Sequence, residues 1–473
     1  MTSQSGAGVF AGRARLRPFT AVTDSVARYL PGNVAAFARR NYRWELSALT
    51  LWPFAQTMVE GAVTATIATR AFPDTPAWVT ATLSAAPNFS NITSFMWARM
   101  ASGRDTVRHL NWIQAGIVLL VGIIACLPLN HVGMILFVAS AVVARLLMTG
   151  VVTLRAILWR ANYDRTERAS ITGQLITVQT VVIVSCSLLL GIAMDADERA
   201  YRVIYPLAVL AGMGGIWMFS KVRMRRPFLN DPSRAEVESH DGGSGFIIGE
   251  LAAEWARAVR KIAVVLRDDV PYRGFMVCMF IMGIGNLAID GPLIRLLKED
   301  FQLGYLGGLL LVQALPLALM PLAIPFWARL LDNAHIIRFR AIHSWSFVIG
   351  QSLMFVGAHL GALWIIVLAQ VFQGIGYGGG SLAWNIGHND FATRDKAGLY
   401  MTVHMTLNGI RGFLGPYVGM ALYTGVPIAG MRVFDIGSYC FLFWAFFCLL
   451  GALGFVYLDR KYTSITRRRP ESD

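Results

Sequence analysis

The sequence predicts an all-α integral membrane protein, with twelve transmembrane helices arranged as two related six-helix bundles. Three observations predict this fold class. Of the 473 residues, 55% are hydrophobic and 15% are charged, whereas a soluble domain carries about 25% charged residues. The apolar residues gather in stretches of about 20, the length that crosses the hydrocarbon of a bilayer. Short motifs of the first half also return in the second half at a nearly constant distance.

Six apolar stretches precede a polar segment and six follow it. The predicted spans are 44–69, 77–97, 110–129, 132–156, 169–193 and 203–220, then 273–296, 304–327, 341–359, 361–384, 397–423 and 433–458. The predicted divisions are a cytoplasmic N-terminal segment (1–42), a first bundle (43–220), a cytoplasmic central loop (221–272), a second bundle (273–459) and a cytoplasmic tail (460–473). Within the loop, apolar residues recur at helical spacing over 248–266, which predicts an amphipathic helix on the membrane surface.

The positive charge follows the predicted topology. The formal net charge is +14. If both termini are cytoplasmic, most Lys and Arg residues fall in inside segments, as the positive-inside rule requires. Arg145 and Arg411 lie well inside predicted spans, away from the span ends. This distribution accounts for the charge without a nucleic-acid partner. We expect a monomer in the lipid bilayer of the plasma membrane, or of the inner membrane in a Gram-negative cell.

An internal repeat relates the two halves. The stretch "QTMVEG" (Gln56–Gly61) returns as "NLAIDG" (Asn286–Gly291), 230 positions later. Trp97-Ala98-Arg99 returns as Trp327-Ala328-Arg329 at the same offset, and "ERA" (167–169) returns as "DKA" (395–397). Because each half has six spans, the repeat is parallel, and we expect the halves to superpose about an axis along the membrane normal. Trp97 should then overlay Trp327, and Glu60 should overlay Asp290.

These features resemble the major facilitator superfamily over about residues 43–460. That family carries a G-x-L-a-D-R-x-G-R-R loop between its second and third helices. Here the loop reads "ARMASGRDTVR", with Ser102 in place of the acid, so the first copy lacks the acid of a gating salt bridge. The second copy, "ARLLDNAHIIR", keeps an acid. The gating-loop candidates implied by the resemblance are Arg99, Arg104, Arg108, Arg329 and Asp332.

The resemblance also implies a central cavity lined by the first, fourth, seventh and tenth helices. The family's R-x-x-Q-G-x-G signature is partly visible at Arg145, and its repeat reads "QVFQGIG" (Gln370–Gly376), which contains Gln373. Glu60 and Asp290 would then face each other across the cavity. "GPYVG" (415–419) looks like an antiporter element but lies in the eleventh span. We interpret it as a proline kink.

Ionisable residues inside the spans are the candidates for function. A charged group at this depth costs at least ~2.5–3.5 kcal/mol on insertion scales, so a functional role is the default interpretation. Glu60 and Asp290 are candidate proton carriers, and Gln56 and Asn286 precede them by four residues, on the same helix face. The alternative is that the spans end earlier, which would leave both acids as interfacial or packing residues.

A polar stripe in the eleventh predicted span supplies further candidates. His404, Asn408 and Arg411 follow i, i+4, i+7 spacing within "HMTLNGIRGFLG". Such a stripe faces protein or water and not lipid. It could bind substrate or pair with an acid as a gate, and a purely structural salt bridge between helices is an equal alternative.

These observations predict a secondary transporter that moves a small solute by alternating access, with proton coupling through Glu60 or Asp290. Two alternatives stay open: a translocator of lipids or lipophilic drugs, and a non-transporting receptor or scaffold on the same fold. The sequence contains no G-x-x-x-x-G-K-[ST] or H-E-x-x-H motif, so we expect no enzyme activity, cofactor or metal. "GIGYGGGS" (374–381) lies inside a span, which favours close helix packing over phosphate binding.

Overall fold

The structure is a computed structural model that describes residues 31–101, 105–225, 259–392, 396–428 and 431–463. Several predicted features lie outside these ranges. They are most of the N-terminal segment, the central-loop residues 226–258, Arg104 and the C-terminal residues 464–473. Of the predicted surface helix at 248–266, the part from residue 259 is described, and residues 259–268 are helical.

The described chain is helical apart from one short hairpin. The helices of the first half are α1 (Arg39–Thr57), α2 (Gly61–Ala71), α3 (Ala77–Phe89), α4 (Ser94–Ala101), α5 (Thr106–Ala125), α6 (His131–Asn162), α7 (Arg165–Ala196) and α8 (Tyr201–Phe219). Those of the second half are α9 (Val270–Leu287), α10 (Asp290–Glu299), α11 (Tyr305–Leu309), α12 (Leu315–Asp332), α13 (Ile336–His343), α14 (Trp345–Leu360), α15 (Leu363–Ile386), α16 (Ala397–Thr424) and α17 (Tyr439–Lys461). Strands β1 (Val426–Ile428) and β2 (Met431–Val433) pair antiparallel with Val426 opposite Val433.

Eight helical stretches of the described chain are long and apolar enough to cross a membrane. They correspond to eight of the twelve predicted spans and make the chain a multi-pass membrane protein. The four predicted spans outside this set are 44–69, 77–97, 341–359 and 397–423. The first three are interrupted, at Met58–Glu60, at the 3₁₀ turn Ser90–Thr93 and at Ser344. The fourth is the continuous helix α16, which carries the polar stripe.

Helix starts follow local capping chemistry. The side chain of Asp105 accepts the backbone N–H groups of Val107 and Arg108 at the start of α5. Asn130 accepts the Gly133 N–H before α6, and Asp269 accepts the Tyr272 N–H before α9. Each cap satisfies a backbone donor that has no partner within the helix.

The two broken helices interrupt at matching positions. The α1–α2 break covers Met58–Glu60, and the α9–α10 break covers Ala288 and Ile289, 230 positions after the first. In the second half the cause is Pro292, which has no N–H to donate to the Ala288 carbonyl four residues earlier. Gly419 of α16 packs against that same carbonyl oxygen, with no room for a Cβ. The glycines of "GPYVG" therefore allow α16 to approach α9 closely.

A tryptophan-on-glycine contact occurs in both halves. The Trp97 ring packs on Gly150 of α6, where a Cβ would lie 2.8 Å from the ring. The Trp327 ring packs on Gly379 of α15, where a Cβ would lie 3.0 Å from it. Gly374, Gly376 and Gly378 in the same helix also contact neighbouring helices at distances too short for a Cβ. The glycine-rich stretch thus serves close helix packing, as predicted.

The two halves meet near the loops at residues 72–76 and 300–304, which we call the closed end. Three cationic side chains donate to backbone carbonyls across the boundary. Lys298 Nζ donates to Thr69 O at 2.5 Å, Arg70 Nε donates to Leu303 O at 3.3 Å, and Arg295 donates to Thr75 O. These contacts need no partner side chain and can be exchanged for water.

Asp195 adds an anionic contact at the closed end. Its carboxylate, near the end of α7, accepts the backbone N–H of Tyr305 at 2.6 Å and of Leu306 at 3.0 Å, at the start of α11. Deeper in the molecule, Gln313 Nε2 donates to Ser187 Oγ at 2.9 Å from a π-helical turn, Leu310–Ala314. Such turns often mark functional positions in helices.

Helices α3 and α16 extend the boundary toward the middle of the molecule. Thr82 and Tyr417 share a hydroxyl–hydroxyl bond of 2.7 Å, and the Phe89 and Phe413 rings pack with centroids 6.3 Å apart. Gly409 of α16 also contacts the Ile92 side chain of the first half.

Candidate functional site

Glu60 lies at the break between α1 and α2, where its backbone is extended. Its carboxylate accepts a 3.0 Å hydrogen bond from Gln56 Nε2 and lies 3.1 Å from the guanidinium of Arg145 on α6. The side chains of Glu60 and Arg145 are 20% and 13% exposed. The four-residue spacing correctly predicted the contact with Gln56, although the helix does not continue between the two residues. The ion pair with Arg145 was not predicted.

The contacts of Glu60 continue through a chain of amides. Gln179 of α7 donates from Nε2 to the Gln56 side-chain oxygen at 2.7 Å. Arg155, ten residues after Arg145 in α6, donates from Nη1 to the Gln179 side-chain oxygen at 3.0 Å. These hydrogen bonds link α1, α6 and α7 through polar side chains. A change at Glu60 can therefore reach Arg155 through two amide side chains.

A second buried acid lies at the end of this row of side chains, beyond Arg155. Glu45 of α1 is 1% exposed and accepts hydrogen bonds from Trp159 Nε1 at 2.7 Å and Tyr163 Oη at 2.8 Å. It interacts electrostatically with Arg155, whose guanidinium also lies over the Trp159 ring at 4.9 Å. We define the first-half network as Glu60, Arg145, Gln56, Gln179, Arg155 and Glu45.

Sequence reasoning missed Glu45 and Arg155. Glu45 lies at the first residues of a predicted span, and Arg155 lies at the last residues of another. A charge at a span end is usually an interfacial residue, so neither was a candidate. In the structure α6 runs to Asn162, past the predicted end, which places Arg155 within the helix. The signal available in the sequence was the aromatic pair Trp159 and Tyr163 at four-residue spacing.

The second half places its candidates differently. No hydrogen bond joins Asn286 to Asp290 among the described residues. The side-chain oxygen of Asn286 instead accepts from Gln373 Nε2 of α15 at 2.5 Å. Asp290 is partly buried at the start of α10, interacts electrostatically with Tyr377 and has no ion pair within the described residues. No hydrogen bond joins Glu60 to Asp290 among the described residues.

The polar stripe of α16 is buried. Arg411 donates from Nε and Nη2 to the Asn408 side-chain oxygen at 3.2 and 2.8 Å, and from Nη1 to the Met279 carbonyl of α9 at 2.5 Å. The guanidinium lies against Gly283, with no room for a Cβ. His404 packs its ring on Trp384, and its Nε2 has no partner within the described chain. Arg411 has no acidic partner there, so the predicted structural salt bridge is not seen.

Two basic residues absent from the prediction, Arg340 and His343, lie beside this stripe. Arg340 of α13 is 3% exposed, and its Nη1 contacts His343 Nδ1 at 3.4 Å. His343 is fully buried and contacts the Gly376 carbonyl through Nε2 at 2.8 Å. Arg340 was overlooked because the predicted span begins at the next residue, which made it a loop charge.

The other predicted residues are placed as follows. Gln370 is buried within α15, and Gln373 is shared between Asn286 and the Tyr377 hydroxyl. Arg108, Arg329 and Asp332 are exposed and form no ion pair with the described residues. Arg99 belongs to α4, and Arg104 lies outside the described ranges. The gating role of this loop stays a prediction.

A groove of about 450 Å³ lies apart from all these polar groups. It is formed by α16 and the hairpin region, and its lining residues are Tyr417, Val418, Ala421, Leu422 and Phe434. A solute site combines apolar walls with a few convergent polar groups. We therefore centre the candidate site on the buried polar residues of the two halves and not on this groove.

Comparison with known proteins places the chain in a family. No curated protein matches the sequence. Among solved structures, the POT family transporter PepTSo has a TM-score of 0.65 at 11% identity, over 90% of this chain and 98% of that one. A peptide transporter POT in complex with sulfate gives 0.64 at 10% identity, over 90% of this chain and 96% of that one. The nucleoside transporter NupG, as a D323A mutant, gives 0.62 at 11% identity, over 88% of this chain and all of that one.

At such identities these likenesses establish the fold alone. The model of the Major Facilitator Superfamily matches residues 46–416, well over half of the sequence, which confirms the predicted resemblance. The chain therefore belongs to the Major Facilitator Superfamily, and it is a multi-pass secondary transporter and not an enzyme.

Proposed function

We propose that the protein transports a small solute by alternating access and couples this movement to protons through Glu60. The main observation behind this proposal is the Glu60–Arg145 ion pair, 3.1 Å long, at the break between α1 and α2. Protonation of the carboxyl removes its charge and therefore the attraction to Arg145. A proton taken up at this position thus changes the contact between α1 and α6.

The first-half network gives this change a route. Gln56 contacts both Glu60 and Gln179, and Gln179 contacts Arg155. Loss of the Glu60 charge frees Arg145 to bind a solute or to repack, and it alters the hydrogen bonds that join α1, α6 and α7. A proton can drive a conformational change only if its affinity differs between the two states, and a carboxyl whose partners move satisfies that condition.

Alternating access requires a boundary that opens. In the proposed twelve-span topology, the positive-inside rule places both termini in the cytoplasm and the closed end outside. The structure then corresponds to a state closed to the outside. Across the closed end, the bonds from Arg70, Arg295 and Lys298 go to carbonyl oxygens. Water can replace such bonds, which suits a gate that opens reversibly.

Asp290 has a secondary role in this proposal. Its position repeats that of Glu60, but within the described residues it has no ion pair. Its protonation would therefore break no contact in this state. We assign the coupling proton to Glu60 first, and to Asp290 in a state in which the second-half site rearranges.

The test is solute transport by the full chain in proteoliposomes, after a library screen has identified a transported solute. Glu60→Gln and Asp290→Asn keep shape and hydrogen bonding but cannot titrate. Asp268→Asn and Asp435→Asn, both on exposed residues outside the closed end, are the controls. We expect Glu60→Gln to abolish accumulation driven by a pH gradient, to leave counterflow exchange largely intact, and to differ in this from both controls.

Three outcomes would contradict the proposal. Accumulation that persists in the Glu60→Gln, Asp290→Asn double variant would show that neither acid carries the proton. Movement of lipid or of lipophilic dyes, with no solute exchange, would favour the lipid or drug translocator. Binding of a solute without any exchange across the bilayer would favour a receptor or scaffold.

A further inference from the structure

The second half contains a buried group of cationic side chains without an acid. Arg340, Arg411 and His404 are 3%, 8% and 4% exposed. Arg340 interacts electrostatically with Arg411, and His404 interacts with both arginines. We call these three residues the cationic cluster. Within the described residues, none of the three has an ion pair.

In the first half, by contrast, two arginines have acidic partners. There Arg145 is paired with Glu60, and Arg155 interacts with the buried acid Glu45. Glu45 follows Tyr42 by three residues; Tyr272 stands 230 positions after Tyr42, and three residues later the chain has Phe275. The position that supplies a buried acid to the first half therefore supplies a phenyl ring to the second.

Two buried guanidinium groups close together are costly. An arginine inside a membrane is costly unless it is paired, and a neighbouring like charge adds to this cost. Hydrogen bonds to Asn408 and the Met279 carbonyl satisfy part of Arg411 but carry no opposite charge. The Nε of Arg340 and the Nε2 of His404 are buried and have no hydrogen-bond partner within the described chain. An anion would supply both the missing charge and the missing acceptors.

We propose that the cationic cluster binds a solute that carries an oxyanion group: a carboxylate, a sulfate or a phosphate. Arginine suits such groups because its planar N–H fork matches their oxygen atoms. Arg340 and Arg411 supply the charge, His404 donates from Nε2, and Asn408 orients Arg411. This proposal names the substrate class of the proposed transporter. Binding of the anion does not depend on the proposed function, but transport of the anion rests on it.

The cluster lies in the part of α16 that is further from the closed end. Tyr417 of α16 bonds to Thr82 near the closed end, and Gly409 contacts Ile92. His404 and Asn408 come before Gly409, on the side away from the closed end, and Arg411 follows two residues after it. In the proposed transport cycle, an anion that enters between the halves from the end opposite the closed end would pass this part of α16.

The experiment measures binding to the purified full chain in an uncharged detergent. Sodium sulfate, sodium phosphate and sodium acetate are titrated against thermal unfolding, with sodium chloride at matched ionic strength as the reference. We expect at least one oxyanion to raise the melting temperature saturably by several degrees above the chloride reference, because a ligand that binds the folded state stabilises it. No difference between the three oxyanions and chloride would overturn the proposal.

Variants then locate the site. Arg340→Gln and Arg411→Gln should each weaken the apparent affinity at least tenfold, and Arg411→Lys should restore part of it. Arg202→Gln, on an exposed arginine, is the matched control and should bind as the wild type does. Circular dichroism of each variant checks folding. An unchanged affinity in folded Arg340→Gln and Arg411→Gln proteins would overturn the assignment.

Two further arms separate the neighbouring explanations. A response to a short-chain phosphatidic acid, with none to the three soluble oxyanions, would assign the cluster to a lipid headgroup and overturn the solute proposal. The titration is repeated with Glu60→Gln, in which proton coupling is expected to be lost. Oxyanion binding that survives there keeps this inference even if the transport assay refutes coupling, since the two use different residues.

Discussion

The Glu60–Arg145 ion pair allows a quantitative test of the first-half network. Its charges lie 3.1 Å apart, with both side chains mostly buried. At an effective dielectric constant of about 20, their attraction is about 5 kcal/mol. Desolvation of both groups offsets part of this, so we expect a coupling free energy of about 3 kcal/mol, at the low end of the loss seen when one partner of a buried pair is removed.

The measurement is a double-mutant cycle with Glu60→Gln, Arg145→Gln and the combined variant. Reversible unfolding in mixed micelles gives the free energy of unfolding of each protein. Glu60→Gln alone leaves the Arg145 charge buried without a partner, so we expect it to lower this free energy by about 3 kcal/mol. The combined variant removes both charges and should lose about 3 kcal/mol less than the sum of the two single variants.

The pair Arg295–Glu299 provides the matched reference for this cycle. Its atoms lie 3.0 Å apart, but Glu299 is 44% exposed and the two residues are one helical turn apart. Such pairs contribute about 0.3–0.5 kcal/mol. A coupling free energy at Glu60–Arg145 no larger than that at Arg295–Glu299 would show that the first pair is solvated. The network would then not transmit a change at Glu60.

Three other predictions follow from the packing, the closed end and the central loop. Gly150→Ala places a Cβ 2.8 Å from the Trp97 ring, so it should lower the free energy of unfolding by about 1–3 kcal/mol. The control Gly173→Ala, whose Cβ meets no atom within 4 Å, should be neutral or stabilising, and equal effects of the two variants would contradict the packing account. Asp195→Ala removes both acceptors for the start of α11, and bonds to a charged group contribute about 1.5–3 kcal/mol each. Ser84 of α3 is 6% exposed and lies beside Gly291 of α10, between the halves, so a Ser84→Cys reporter should react at least tenfold faster with a water-soluble maleimide than in the Asp197→Ala control; an unchanged rate would show that Asp195 does not hold the closed end. Arg257→Cys tests the predicted surface helix at 248–266 and should be labelled from the cytoplasmic side, whereas shielding from both sides with reactive flanking loops would require that segment to be reassigned.

Membership of the superfamily could be predicted from sequence because it rests on local and repeated properties. Apolar stretches of spanning length and the 230-residue offset need no knowledge of contacts. Both helix breaks lie inside the repeated motifs "QTMVEG" and "NLAIDG", although the sequence predicted continuous spans there. What the motif could not give was the break itself, which in the second half depends on Pro292 and on Gly419 packing against a freed carbonyl.

The candidate site was predicted only in part. Glu60, Gln56, Asn408 and Arg411 were found because each is polar inside an apolar stretch. Glu45, Arg155 and Arg340 were missed because each lies at the edge of a predicted span, where a charge is expected to face water. Their burial follows from helices that extend past the predicted ends or pack there against other helices.

The sequence by itself determined the all-helical membrane fold class and the family, since hydrophobic length and residue order set them along the chain. The parallel repeat and the depth of Glu60 stay predictions. Only the tertiary structure decided the partners. It joined Glu60 to Arg145 and not to Asp290, gave Arg155 a buried acid, and left Arg340 and Arg411 without one among the described residues. The physical reason is that charge balance inside a membrane protein is settled between helices, and the relative rotation and packing of helices far apart in the chain is not encoded in the spacing within any one of them.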